Sequence, residues 1–445
     1  MKSWRAPAAI FLLIVFIAAP LIMIFLWHGN LAPRIENDQT NALMELGRLA
    51  ALMGVYLLMV QLLLIGRVWW IERVFGLDHL AQVHHLNGLL IIPLLCAHPL
   101  LLAFGYATRD GRGFIDQYKD FLTWDSVIPA GIGLGLLFLS VFFSLGVLRK
   151  KLKYETWLAF HLLAYVALAL AFLHQVRTGN DLIDSTALLA FWYGLYGFCL
   201  GNLVLFRFIK PVFSMARFGF TVDRIEHESS DVASVYIKGK NLDKFHYSAG
   251  QFAIVRFLGG SFILEAHPFS LSSTPGSPFI RFSIKSSGDF TARVPSLPPG
   301  MKVCIDGPHG VFTADTLITS KVLLVAGGIG ITPLRGLAEA FLREGKEVTL
   351  LYSTRAKNGI VFKEELDELA KAHRTFSLHY IVSDDPSWEG EKGRIDSEKI
   401  KRLVKDPPEH DAYVCGPPPM MKGLVKLLES EGIRKSAIHY ERFAL

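Results

Sequence analysis

Apolar positions crowd the first half of the chain and thin out after about residue 210. They fall in six runs, at 7–27, 49–66, 86–106, 126–148, 157–172 and 185–206, with short polar stretches between them. A bilayer core about 30 Å thick needs roughly 20 apolar residues per helix, so the pattern predicts six membrane spans. The first run is longer than the apolar stretch of a secretory leader and no small-residue cleavage site follows it, so it is read as a membrane helix.

After about Phe213 the texture changes to short strand-like runs at 252–257, 279–285 and 302–305, divided by Gly, Pro and Ser turns. From Lys321 strands alternate with helical patterns, at 322–326, 334–344, 348–352 and 363–372, which reads as a parallel α/β sheet. The expected architecture is multi-domain: a six-helix transmembrane bundle over 1–213, an antiparallel β-barrel domain over 214–315, and an α/β parallel-sheet nucleotide-binding domain over 316–445.

Composition narrows the class. Of the 445 residues 51% are hydrophobic and only 19% charged, which excludes a disordered chain. The net charge of +6 is spread thinly, with no basic stripe, so nucleic acid is not an expected partner. The 4 cysteines form no C-x-x-C pair, which argues against a disulfide framework or a zinc site. Basic residues cluster in alternate loops: Lys2 and Arg5, Arg67 and Arg73, the 149–153 run, then Arg207 and Lys210. The other loops carry mixed charge (Arg34, Glu36, Asp38; Asp110, Arg112, Asp116, Lys119, Asp120). The positive-inside rule then puts both termini in the cytoplasm of a multi-pass protein of the cell membrane.

Ionisable residues at membrane depth are functional candidates by default. The third span carries His84, His85 and His98, the fifth His161 and His174. His84 and His98 are 14 residues apart and His161 and His174 are 13, a rise of about 20 Å in each helix. Two such helices can clamp two stacked cofactors, and neutral imidazole is an axial ligand of haem iron. At about 100° per residue, His84 and His98 share a face while His85 and His98 lie about 140° apart, which favours His84. The 13-residue step calls for a bend or bulge in the fifth span. Helix-packing histidines or a proton relay are the plainer alternatives. With the N-terminus inside, His84 and His161 are cytoplasmic-side and His98 and His174 outer. Arg48, near the outer end of the second span, is placed to meet a haem propionate or an anionic product, or to snorkel to the interface.

In the second half, Gly327-Gly328-Ile329-Gly330-Ile331-Thr332-Pro333 follows a buried strand and opens a helix. Glycines let backbone approach a pyrophosphate, and the helix start offers free N–H groups. The next strand ends at Ser353-Thr354-Arg355, where a hydroxyl and a guanidinium suit a 2′-phosphate and favour NADPH; an ordinary exposed arginine is the alternative. Cys415-Gly416-Pro417-Pro418 follows another strand, putting a thiol at the sheet's C-terminal edge unless Cys415 is merely buried. Upstream, His267-Pro268-Phe269-Ser270 and the small-residue nest from Lys285 to Thr291 offer an aromatic, hydroxyls and an anion cradle.

These motifs together resemble a known family. The second half is similar to the ferredoxin–NADP reductase superfamily: H-P-F-S-L-S-S resembles its FAD motif, Gly307-Pro308-His309-Gly310-x-Phe312 its barrel-closing motif, and G-G-I-G-I-T-P with C-G-P-P its pyridine-nucleotide motifs. The first half resembles the transmembrane domain shared by NADPH oxidases and ferric reductases, with His84 to Gly88 matching its H-x-x-x-G. The resemblance implies FAD contacts from His267, Pro268, Phe269, Ser270, Lys285 and Thr291. It implies nicotinamide-nucleotide contacts from Gly328, Gly330, Thr332, Arg355, Cys415 and Gly416, and two haems b. Phe443 resembles the family's flavin-covering aromatic, although this chain runs two residues further.

The expected function is transfer of electrons from NADPH through FAD and both haems to an external acceptor. Dioxygen giving superoxide is the leading reading; a ferric chelate or a periplasmic protein is the alternative. With both nucleotide-binding halves in one chain no obligatory donor subunit is expected, and without an EF-hand loop activity is expected to need no calcium.

Overall fold

The computed structural model describes residues 5–28, 40–263 and 265–441. Among the described residues six helices are long and apolar enough to cross a membrane, ending at Thr186–Phe218, so this is a multi-pass membrane protein. The chain divides into two compact units. One comprises Ile10–Val68 and His79–Leu205; the other gathers residues up to 9, Trp69–Asp78 and Phe206–Leu445.

The helical unit is built from α1 (Arg5–His28), α2 (Thr40–Ile65), most of α4 (Leu77–Asp110), the short α5 (Phe114–Phe121), α6 (Val127–Ser144), α7 (Tyr154–Thr178) and α8 (Thr186–Val204). Large apolar side chains such as Phe11, Ile14, Ile17 and Phe25 point outward, as a lipid solvent requires. Lipid supplies no hydrophobic force between helices, so packing rests on small residues and polar bonds. On α2, a Cβ at Gly54 would meet Leu95 and one at Gly47 would meet Leu101, so both glycines let α4 approach. Tyr56 donates to the Phe16 carbonyl at 2.6 Å, Gln61 to the His84 carbonyl at 2.7 Å, and Asn87 to the Leu57 carbonyl at 2.9 Å. Trp192 and Tyr196 of α8 both donate to Gln175 of α7, at 3.0 and 2.8 Å.

One expectation changes here. The third span is a 34-residue helix, longer than its apolar run, because polar turns outside a bilayer continue the helix without any hydropathy signal. The fifth span, α7, is α-helical throughout from Tyr154 to Thr178, with no π-bulge among these residues.

The second unit includes α3 (Trp69–Phe75) and α9 (Lys210–Phe218), which leads into a six-stranded barrel. Its strands are β1 (Thr221–His227), β2 (Val232–Lys238), β3 (Phe252–Phe257), β4 (His267–Ser270), β5 (Ile280–Lys285) and β6 (Val303–His309). They form two antiparallel sheets, β1-β2-β5 and β4-β3-β6. Single bridges at Thr221–Lys302 and Leu271–Phe282 join the sheets at their edges around a phenylalanine-rich core. A short helix, α10 (Asp289–Arg293), follows β5.

The last part is an all-parallel sheet of β7 (Lys321–Gly327), β8 (Glu347–Thr354), β9 (Phe376–Val382), β10 (Glu391–Lys392), β11 (His410–Cys415) and β12 (Ile438–Tyr440), in the order β10-β9-β8-β7-β11-β12. Helices α11 (Ile331–Arg343), α12 (Lys363–Ala372), α13 (Ser397–Leu403) and α14 (Pro418–Ser430) connect the strands. The strand order reverses between β7 and β11, so the ligand crevice of such a sheet lies at their C-terminal ends.

Candidate functional site

In the helical unit the histidines meet in two pairs. The rings of His84 and His161 are 6.0 Å apart between centroids, and those of His98 and His174 6.3 Å apart. A metal–imidazole bond of about 2 Å on each side of one ion puts ring centroids about 6 Å apart, so both gaps fit an axially held iron. His85 is exposed. His98 Nδ1 lies 3.0 Å from the Gly47 carbonyl, which can only accept, so that nitrogen carries the hydrogen and Nε2 keeps its lone pair for a ligand. Beside the second pair lies a cavity of about 480 Å³, in the range of cofactor pockets, lined by Arg48, His98, His174, Tyr118, Trp124 and Arg177 among others. Arg48 is ion-paired to Glu45 at 2.7 Å and reaches this cavity.

In the second unit the glycine turn and the cysteine loop are brought together. Cys415 pairs in register with Ala326, one strand over, and a Cβ on Gly330 would collide with the Cys415 carbonyl. Only glycine fits there. Gly328 has φ +53° with open space where a side chain would stand, leaving backbone N–H groups uncovered at the start of α11. Thr332 donates to the Ile329 carbonyl at 2.9 Å and so braces the turn. Ser353 pairs in register with Gly327, beside that turn, and Arg355 is exposed just beyond β8. Gly416 packs on Gly327, and burial pushes the Cys415 thiol well above its ordinary value, so it is neutral.

Around β4, His267 and Phe269 gather on Phe290, with ring centroids 4.1 and 6.3 Å away. Pro268 pairs with Ile254 in the sheet, and Ser270 is buried at the end of the strand. Thr291 accepts from the Ser287 and Gly288 amides at 2.8 and 3.0 Å, holding the nest in shape, and Lys285 beside it pairs with Asp231 at 3.1 Å. Phe443 lies outside the described residues, as do Arg34, Glu36 and Asp38.

Three protein-family models match the chain in this same order. "Ferric reductase like transmembrane component" covers residues 50–172, "FAD-binding domain" 217–313, and "Oxidoreductase NAD-binding domain" 324–426. Together they match the fused ferric-reductase and FAD/NAD(P)H-reductase architecture of NADPH oxidase-like proteins. The chain carries FAD- and NAD(P)H-binding domains. The curated relatives match about half of the chain. The NADH-cytochrome b5 reductase 1 of Scheffersomyces stipitis is 30% identical over 48% of this chain and 77% of its own length. The glycine betaine monooxygenase reductase subunit of Pseudomonas aeruginosa is 28% identical over 49% of this chain, which spans 62% of that relative. Among solved structures, the cytochrome b5 reductase domain of Ulva prolifera nitrate reductase is 22% identical, with TM-score 0.46, over 51% of this chain and 98% of that one.

The structure also contains polar groups that sequence reasoning missed. Glu72 of α3 is buried and accepts from the Gly310 amide at 2.6 Å; burial pushes its carboxyl up. Glu441 is buried against Gly310 with no hydrogen-bond partner on either oxygen among the described residues, and burial, with Asp78 and Glu72 adding, pushes it well above the carboxylate range. Arg281 of β5 holds Glu365 of α12, which Arg335 also bonds at 2.9 Å, tying barrel to nucleotide domain. Nothing in local pattern marks such groups, since their partners are dozens to hundreds of residues away.

Proposed function

We propose that this protein carries electrons across the cell membrane from cytosolic NADPH, by way of FAD and two haems b, to dioxygen outside, giving superoxide. The observation that carries the reading is the facing of two histidine pairs across one helix pair, each at an iron's spacing. When bound, FAD accepts a hydride and releases electrons singly, and haem iron relays them. The chain supplies the rest. Gly328, Gly330 and the start of α11 receive the nucleotide's pyrophosphate; Thr332 braces that turn; Ser353 and Arg355 hold a 2′-phosphate; Gly416 keeps Cys415 against the crevice where the nicotinamide lies. His267, Pro268, Phe269, Ser270, Lys285 and Thr291 shape the FAD site, with Phe443 covering the flavin ring.

His84 and His161 hold the cytoplasmic-side haem, His98 and His174 the outer one, and both termini are cytoplasmic, as the loop charges favour. Arg48, on the outer cavity, attracts an anionic product or a propionate. With both histidines of a pair committed to holding the group, an acceptor would take its electron without binding the metal. A ferric chelate is the second reading, favoured by two arginines, Arg48 and Arg177, on that same cavity. The test is cytochrome c reduction by the purified protein with FAD and NADPH, with and without superoxide dismutase. A signal abolished by the dismutase supports dioxygen. An insensitive signal, with haems reoxidised faster by ferric chelate than by air, moves the acceptor to metal.

A further inference from the structure

The inner histidine pair has an orienting group that no motif marks. Ser144, the last residue of α6, lies 2.7 Å from the Ser140 carbonyl, 3.1 Å from Trp157 Nε1 and 3.1 Å from His161 Nδ1. A hydroxyl has one hydrogen. The Ser140 carbonyl has none to offer, so the short oxygen–oxygen contact takes the Ser144 hydrogen. Indole Nε1 is a donor only, so Trp157 donates to Ser144 as well. The Ser144 oxygen therefore meets His161 as an acceptor, and Nδ1 of His161 must carry its hydrogen. That leaves the lone pair on Nε2, the tautomer a metal ligand needs. The same cluster fixes the ring's attitude: Trp157, four residues before His161 on α7, lies against the imidazole at 5.1 Å and 21°. Ser140 also donates to the His161 carbonyl at 3.1 Å, seating the backbone of that residue.

The other three histidines differ. His98 is oriented by a backbone carbonyl, which no substitution removes cleanly. Nδ1 of His84 and of His174 has no hydrogen-bond partner among the described residues. Each pair thus has one oriented and one unoriented ring, and the orienting group of the inner pair is a single side chain.

We propose that Ser144, with Trp157, is a positioning residue that fixes the Nδ1–H tautomer and ring plane of His161 and thereby sets the potential of the haem this residue holds. The proposal rests on the reading that these histidines hold haem. A hydrogen bond from Nδ1–H makes the imidazole a stronger donor, which favours ferric over ferrous iron. The Ser144 oxygen is a better acceptor for donating its own hydrogen elsewhere.

The test is an equilibrium redox titration of the full-length protein, following the haem absorbance under nitrogen. In Ser144→Ala the ferrous form of one haem gains about tenfold, a positive shift of about 59 mV for one electron, while the second haem keeps its potential. Ser144→Thr restores the wild-type titration. Trp157→Phe, which keeps an aromatic ring and loses the N–H that competes for the Ser144 oxygen, shifts the same haem in the opposite direction by less, and covers the case in which the alanine variant fails to fold. Two bound haems with unchanged potentials in either Ser144→Ala or Trp157→Phe overturn the proposal and leave the haem reading standing. Wild-type protein that binds no haem when supplied with it overturns both.

Discussion

The two units hold their candidate chemistry by opposite means. In the helical unit four side chains do it, at depths fixed by helix rise. In the second unit backbone does most of it: a left-handed Gly328, a Gly330 pressed on the Cys415 carbonyl, and a nest held by Thr291. A side-chain site is broken by deleting a group, whereas a backbone site is broken by adding one. Substitutions in the two units should therefore fail in different ways.

The largest effect belongs to the ligands. His84→Ala should leave one haem per chain and lower NADPH-driven electron transfer by at least about 100-fold, since orienting partners alone are worth 10–100-fold; haem content by absorbance and turnover check this together. His85→Ala should change neither. Next comes the crowded turn. Gly330→Ala adds one carbon against the Cys415 carbonyl and should weaken NADPH binding by about 1–3 kcal/mol, with FAD content and both haems retained, as read by nucleotide titration.

Arg355→Ala tests the 2′-phosphate. It should raise KM for NADPH by about 10–100-fold, the worth of a charged hydrogen bond, and leave KM for NADH alone. The smallest effect sits between barrel and nucleotide domain. Burial alone would raise the Glu365 carboxyl, but Arg281 and Arg335 hold it below the usual range. A depressed folded value gives stability that is present above the unfolded carboxylate range and lost as pH falls through the folded value. Glu365→Gln should cost about 1–2 kcal/mol near neutrality, because Glu365 is 35% exposed and solvent screens the pair. The gap from wild type in thermal unfolding should close as the solution is acidified.

The same contrast explains what the sequence could reveal. Hydropathy located all six spans, because lipid demands long apolar runs, and helical phase favoured His84, the residue whose ring meets that of His161. The strand–turn–helix context placed Gly327 to Gly330 at the crevice. Hidden from view were Glu72 on Gly310, Glu441 beside it, Arg281 on Glu365 and Ser144 on His161, all ordinary polar residues whose meaning lies in a partner brought close only by the fold.

The most direct test of the central claim is anaerobic haem reduction by NADPH in purified, FAD-loaded protein, with haem content measured in the same sample. The account predicts two haems per chain, both low-spin in the ferric state, both reduced by NADPH when FAD is present and neither when it is withheld. Haems that stay oxidised with FAD and NADPH supplied, or a single haem per chain, would contradict it.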